Sequence, residues 1–86
     1  MIVTIRGRKW NLKRVRVANG TDGDCDQPDV PKREIRVSPS LKGERELEVM
    51  IHEMLHASYW DLSEEAVDTA AEDIAKALWK LGYRKQ

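Results

Sequence analysis

Residues 44–60 of this 86-residue chain, ERELEVMIHEMLHASYW, decide its fold. Apolar side chains recur in this stretch at helical spacing, which predicts an amphipathic helix that begins near Gly43 or Glu44. Acidic residues in its first turn favour the same start, because negative charge is stabilised at a helix N-terminus. The apolar stripe consists of Leu47, Met50, Ile51, Met54, Leu55 and Ser58.

A second helix is predicted directly after the first. Ser63 is typical of an N-cap residue, and Leu62 before it can pack against Val67 as a hydrophobic staple. Gly82 is typical of the residue that ends a helix. The apolar stripe between them consists of Val67, Ala70, Ala71, Ile74, Ala77, Leu78 and Leu81.

The N-terminal half predicts strands instead. Residues 2–5, 12–17 and 34–37 are rich in β-branched side chains and partly alternate with polar ones. The stretch 18–32 contains Gly, Pro and Asp in a proportion typical of a loop. Pro39 limits the extension of the third strand and favours a place at the sheet edge. We therefore expect a single α+β domain over residues 1–86, with a small antiparallel sheet of about three strands packed on two helices.

Composition bounds the function and the compartment. Fifteen Lys and Arg balance fifteen Asp and Glu, so the overall charge favours neither a polyanionic partner nor a membrane surface. Cys25 is the single cysteine, which excludes an intrachain disulfide and fits a reducing compartment. The first 17 residues lack the apolar core of a secretion signal, and no apolar run approaches the ~20 residues of a membrane span. We expect a cytoplasmic protein.

The two histidines of the chain lie four residues apart in His52-Glu53-Met54-Leu55-His56. Side chains at this spacing lie on one face of a helix, so both imidazoles can reach one metal ion. Glu53 can lean to the same side and take a proton from metal-bound water instead of coordinating the ion. Zn²⁺ is the expected cofactor, because it accepts nitrogen and oxygen ligands in a tetrahedral site.

The third ligand has to come from elsewhere, and the carboxylates at the start of the second helix are the candidates. Glu64 lies three residues before Val67, at the border of the buried stripe, and helical periodicity favours it. Glu65 lies two residues before Val67 and is the alternative. Asp68, one turn after Glu64, can accept a hydrogen bond from the distal nitrogen of a ligating histidine.

These residues resemble the zincin metallopeptidases of the gluzincin type, especially the minimal forms encoded in phages and prophages. The resemblance covers residues 34–83. The gluzincin E-x-x-x-D arrangement, which supplies the third ligand, matches Glu64 to Asp68. The E-A-x-x-x-A-A pattern of other phage-related zincins matches Glu65-Ala66 and Ala70-Ala71, so both carboxylates stay open. Glu64 follows His56 by only eight positions, which departs from the usual spacing and requires the second helix to turn back at once.

The resemblance implies peptide-bond hydrolysis through a metal-activated water, with Glu53 as the general base. It also implies that the strand formed by Glu34, Ile35, Arg36 and Val37 is an edge strand that binds an extended peptide by strand addition. Tyr59 or Tyr83 could stabilise the oxyanion that such hydrolysis generates, although a packing role is the preferred interpretation of both.

An alternative interpretation is a non-catalytic binding module of a mobile element, with structural zinc or none. It rests on a basic run without an acid, whose members could contact nucleic acid or a host protein, or else face solvent or the acidic helices: Arg6, Arg8, Lys9, Lys13, Arg14 and Arg16. Cys25 could approach the metal as a thiolate, although a solvent-facing or loop-packing cysteine is the preferred interpretation.

Overall fold

Two helices and a four-stranded sheet make up the fold, and the predicted α+β class is confirmed. The computed structural model describes residues 1–84. Its elements in chain order are β1 (Ile2–Ile5), β2 (Arg8–Arg14), β3 (Gly23–Cys25), β4 (Glu34–Val37), α1 (Gly43–Ser58) and α2 (Glu64–Lys80), with a 3-10 turn at Ala18–Gly20 between β2 and β3.

The sheet is mixed and has the strand order β1-β2-β4-β3. The pairs β1/β2 and β3/β4 are antiparallel, whereas β2 and β4 are parallel. The sequence predicts about three antiparallel strands and a structureless loop over residues 18–32, so β3 is the element that it misses. Gly23 and Asp24 have little intrinsic β-propensity, and pairing with β4 makes residues 23–25 a strand.

The predicted edge position of residues 34–37 is wrong. β4 lies between β2 and β3, and Val37 is opposite Arg14 on one side and Gly23 on the other. Pro39 ends the strand, as expected, but it lies outside the paired residues and does not prevent pairing on either side. The edge strand beside β4 is β3.

The second strand also begins earlier than predicted, at Arg8, and ends at Arg14. Trp10 and Leu12 point to the core from this strand, and Trp10 is fully buried. Leu12 does not share the alternation of Val15 and Val17, since β2 ends at Arg14 and these two valines lie beyond the strand. Val17 is buried nonetheless, beyond the strand end.

The first helix is the centre of the fold, because it packs on both the sheet and the second helix. One face of α1 buries Val49 and Ala57 against Trp10, Ile35 and Val37. A second face places Ile51 against two fully buried alanines of α2, Ala71 and Ala75. Within residues 1–84 the backbone of α2 packs on α1 and on no strand.

Both ends of α2 follow the sequence prediction. The Ser63 hydroxyl accepts a hydrogen bond from the Ala66 amide at 3.1 Å, as an N-cap should. Gly82 adopts a φ of +91°, and the Tyr83 amide donates to the Leu78 carbonyl at 3.0 Å, which together form a Schellman motif. The buried face of α2 is narrower than predicted, because Ile74 and Leu81 are exposed. No helix in the described part of the chain is both long and apolar enough to span a bilayer.

Candidate metal centre

Three potential ligands converge where α1 meets the first turn of α2. His52 and His56 lie one turn apart on α1 and are largely buried. Glu64 is the first residue of α2, and a five-residue turn that begins at Tyr59 brings it back over the histidines. The reversal that this short spacing requires therefore forms, with the Leu62 amide donating to the Tyr59 carbonyl at 3.1 Å.

The distances within this group are close to those between ligand atoms around a zinc ion, with a different Glu64 oxygen nearest each histidine. His52 Nε2 lies 2.9 Å from Glu64 Oε1, and His56 Nε2 lies 3.0 Å from Glu64 Oε2. The two Nε2 atoms are 3.2 Å apart. Ligand atoms at about 2.0–2.1 Å from a tetrahedral zinc ion lie roughly 3.3 Å from one another. The His52, His56 and Glu64 group thus has the donor set and spacing for a divalent metal ion.

The hydrogen-bond chemistry of the group favours a cation as well. His52 Nδ1 lies 3.1 Å from Asp68 Oδ1, which places the proton of a neutral imidazole on Nδ1. The Nε2 atom then carries a lone pair, although it faces a carboxylate oxygen of Glu64. Two acceptors at this distance repel each other unless a proton or a metal ion lies between them. Asp68 therefore has the position that the sequence predicts for it, on the distal nitrogen of a potential ligand.

Glu65 does not belong to this group. The carboxylate that approaches both histidines is that of Glu64, whose side chain is 67% exposed. Glu65 follows it by one helical step of about 100° and is exposed at the surface. The favoured helical phase, three residues before the buried Val67, thus corresponds to the residue that reaches the histidines.

Glu53 lies beside the three ligands without joining them. It is 7% exposed and is the one buried charged residue in the described part of the chain. Its single ion-pair contact within residues 1–84 is Oε2 to His52 Nε2 at 4.0 Å, and the structure gives its carboxylate no hydrogen bond there. Burial raises the pKa of Glu53 to about 7, with a further contribution from Glu64, while His52 acts in the opposite direction. The group is a buried proton acceptor without a partner.

Gly23 allows this arrangement, and the sequence analysis did not identify it. A Cβ atom at position 23 would lie 2.9 Å from Val49 Cγ1 and 3.1 Å from both the Arg36 carbonyl oxygen and Glu53 Cγ. The absence of a side chain therefore lets β3 approach α1 closely at the level of Glu53. A glycine in a loop-like sequence carries no signal for such an approach, because it is equally typical of a turn.

A groove of about 850 Å³ runs along α1 and contains the candidate centre. Its walls are β3, with the residues just before it, and the first turns of α2. Cys25 contributes to the β3 wall, and burial, with smaller effects of Glu53 and Asp24, raises the pKa of its thiol to about 12. Burial therefore favours the neutral form of the Cys25 thiol, which packs against the core at intermediate exposure.

The strand predicted to bind substrate is tied to the protein itself. Ile35 and Val37 are buried in the core. Glu34 pairs with Lys13 at 2.6 Å, and Arg36 pairs with Asp26 at 2.7 Å. Because both edges of β4 are already hydrogen-bonded, Glu34–Val37 cannot take another strand, and this part of the site prediction is corrected.

The basic run of residues 6–16 is also engaged with the rest of the chain. Lys13 pairs with Glu34, and Arg14 Nε lies 3.0 Å from Glu46 Oε2. Arg6 donates to the Ser58 carbonyl at 3.0 Å. Part of the basic run thus pairs with acidic residues and with the C-terminal end of α1. This agrees with the alternative that the run faces the acidic helices.

The two tyrosines considered for the oxyanion lie away from the groove. Tyr59 stacks under the guanidinium of Arg6 at 4.8 Å and lines a second, smaller cavity. Tyr83 follows the end of α2 and is exposed. Neither lines the groove that contains the candidate centre.

Comparisons of the chain with models of known protein families, with curated proteins and with solved structures found no match.

Proposed function

We propose that this chain is a zinc-dependent metallopeptidase-like hydrolase. In this proposal His52, His56 and Glu64 hold Zn²⁺, and Glu53 is the general base. The zincin resemblance of residues 34–83 and the convergence of the three potential ligands within 4.8 Å of one another both support it. A cytoplasmic location is part of the proposal, supported by the single free cysteine.

The observation that carries the proposal is the buried carboxylate of Glu53. The residue is 7% exposed and its carboxylate has no hydrogen bond within residues 1–84, so its oxygens depend on water or a ligand in the groove. Here the carboxylate lines the same groove as the three ligands and is 4.0 Å from one of them. A base at this position could take a proton from a water held by a metal ion in this group.

Each side chain then has a defined task in hydrolysis. When bound, zinc would lower the pKa of a coordinated water and polarise the peptide carbonyl. Glu53 accepts a proton from the attacking water while the oxygen of that water bonds to the carbonyl carbon. Glu53 returns this proton to the amine nitrogen when the C–N bond breaks, so the carboxylate is regenerated. Asp68 holds His52 in the tautomer that presents Nε2.

The edge of β3 supports the peptide as substrate. Asp22 and Asp26 bond through their backbones to Ser38 and Glu34 of the β4 region, so the alternate residues Gly23 and Cys25 direct their backbone groups outward. These groups face the side of β3 that carries no strand. An extended peptide can add there, directly beside Glu53. β3 thus takes the role that the resemblance assigns to β4.

Metal analysis and a single substitution test the proposal. We expect about one zinc ion per chain in wild type and in Glu53→Gln, because Glu53 is not a ligand. Hydrolysis of a protein-derived peptide mixture should fall by at least about 100-fold in Glu53→Gln. Glu44→Gln, on the same helix and outside the groove, is the charge-matched control and should retain activity.

Retained hydrolysis in Glu53→Gln would exclude Glu53 as the base. Absence of bound zinc in wild type would exclude the metal centre. Zinc without hydrolysis would instead support the non-catalytic binding module.

A further inference from the structure

One end of the groove is negatively charged and the other end is apolar. Glu48, His52, His56 and Trp60 follow one another at intervals of four residues and all line the groove. Within α1 this spacing places side chains one above another on one face. The row from Glu48 to His56 alone covers about 12 Å at ~1.5 Å per residue, roughly four residues of an extended peptide. The candidate metal centre thus lies between an acidic neighbour and an aromatic one.

The end near Glu48 is negatively charged. Arg45 lies 2.7 Å from Glu48 Oε2 and 2.8 Å from Asp22 Oδ2, so two carboxylates share one guanidinium. Six carboxylate residues and one guanidinium line the groove as a whole: Asp22, Asp24, Glu48, Glu53, Glu64, Asp68 and Arg45. The groove therefore remains negative even with a divalent cation bound. Such a surface attracts cationic side chains and disfavours acidic ones.

The other end is apolar and open. Trp60 and Leu62 are 44% and 41% exposed, and both line the groove. The Trp60 ring approaches His56 edge to face, with 6.4 Å between ring centroids. An apolar or aromatic side chain beside the metal centre can pack on this surface.

Acidic residues alone are common without a ligand, and Glu53 supplies the independent observation. This carboxylate is more than nine-tenths buried, has no hydrogen bond within residues 1–84 and faces into the same groove. This feature, which is separate from the acidic rim, points to a ligand at the centre of the groove.

The direction of a bound peptide follows from β3. Asp22 contacts Arg45, whereas Gly23 contacts Val49 and Glu53, so β3 runs along α1 in the same direction. Antiparallel pairing is the more stable arrangement for an added strand. The N-terminal part of a bound peptide then lies near Trp60, and its C-terminal part lies near Glu48.

We propose that the groove selects cationic peptides with an apolar or aromatic residue just before the reacting bond and Lys or Arg just after it. This inference rests on the proposed function for the place of the reacting bond. Its test, however, measures binding separately from hydrolysis.

The probes are three capped hexapeptides that bind zinc-loaded Glu53→Gln protein, measured by isothermal titration calorimetry. Their central pairs are Phe-Arg, Phe-Glu and Arg-Phe, each with two alanines on both sides. We expect Phe-Arg to bind at least about tenfold more tightly than Phe-Glu, since attraction is exchanged for repulsion. Arg-Phe should bind more weakly than Phe-Arg, because its Arg then lies at the apolar end near Trp60 and its Phe at the negative end near Glu48. Equal affinities for all three peptides would overturn the inference.

Two pairs of variants in the same Glu53→Gln background assign the ends. Glu48→Gln should reduce the preference for Phe-Arg over Phe-Glu, and Glu44→Gln should leave it unchanged. Trp60→Ala should weaken binding of Phe-Arg, and Tyr59→Ala, an adjacent aromatic residue outside the groove, should not. A preference that survives both Glu48→Gln and Trp60→Ala would overturn the assignment of the ends.

Cleavage by wild type separates this inference from the proposed function. If zinc-loaded protein binds the peptides selectively but cleaves none of them, the proposed hydrolysis is contradicted. The inferred selectivity of the groove is then still supported. Equal cleavage of all three peptides supports hydrolysis and contradicts the selectivity.

Discussion

The Nδ1 atom of His52 lies 3.1 Å from Oδ1 of Asp68, across the interface between α1 and α2. This contact fixes the tautomer of a potential metal ligand through a residue that is not itself in the ligand group. It also means that the orientation of the first histidine depends on how α2 is placed.

Asp68→Asn should weaken zinc binding by about 10- to 100-fold, the usual cost of losing the partner of a ligating histidine. Competition with a chelator of known affinity measures the change. Asp73→Asn, an exposed position on the same helix, is the matched control and should bind zinc like wild type. Equal affinities for the two variants would contradict a role of Asp68 in the site.

Glu64→Gln should lower zinc affinity by more than about 100-fold, because it replaces an anionic ligand and not only its neighbour. Glu65→Gln changes the net charge of the first turn equally and should have little effect, since Glu65 lies outside the ligand group. The same chelator competition compares them. A larger loss in Glu65→Gln would assign the third ligand to the alternative residue.

Gly23→Ala should destabilise the protein by roughly 1–3 kcal/mol, because the new methyl group overpacks the contact between β3 and α1. Urea unfolding measures this change in the free energy of unfolding. Val49→Ala removes the closest neighbour of the new methyl group, at 2.9 Å, so the double variant should lose less than the sum of the two single losses. Strict additivity would show that Val49 does not limit the space at position 23.

The Cys25 thiol should react slowly with a thiol reagent at pH 8 in folded, metal-free protein, because burial raises its pKa to about 12. Unfolding in urea should restore the rate of an ordinary cysteine, and Cys25→Ala should give no signal. The sign of the linkage follows: the folded state holds the proton more tightly, so stability should fall as pH rises from 9.0, the ordinary value, towards about 12. Rapid labelling of the folded protein would contradict the burial of this thiol.

Zinc should raise the thermal stability of the protein, since it binds the folded state. At a free zinc concentration of 100 times Kd the expected gain is about 2.7 kcal/mol. Thermal unfolding with zinc and with excess chelator measures the gain, and His56→Ala should abolish it. An equal shift in His56→Ala would indicate that zinc binds elsewhere.

Much of the helical half could be predicted from the sequence because its signals are local. The spacing of Leu47, Met50 and Ile51 predicts α1, and the Ser63 cap and Gly82 delimit α2. The phase of Glu64 relative to Val67 favours the carboxylate that reaches the histidines.

The sheet was harder to predict because its pairing is not local. Gly23, Asp24 and Cys25 form a strand through contacts with β4 and α1, and their composition is that of a loop. Because the sequence does not predict β3, it predicts β4 as the edge strand. It therefore also predicts Glu34–Val37, and not β3, as the residues that bind the peptide. The burial of Glu53 could not be predicted from the sequence either, because it depends on the close approach of β3 to α1 that Gly23 permits.

Because α2 packs on α1 and on no strand within residues 1–84, it can detach in a subglobal opening that leaves the layer of sheet and α1 intact. Such an opening would withdraw Glu64 and Asp68 together and separate the three potential metal ligands without global unfolding. Metal release and helix detachment would then be one event, and the lifetime of the loaded protein would report the docking of a single helix.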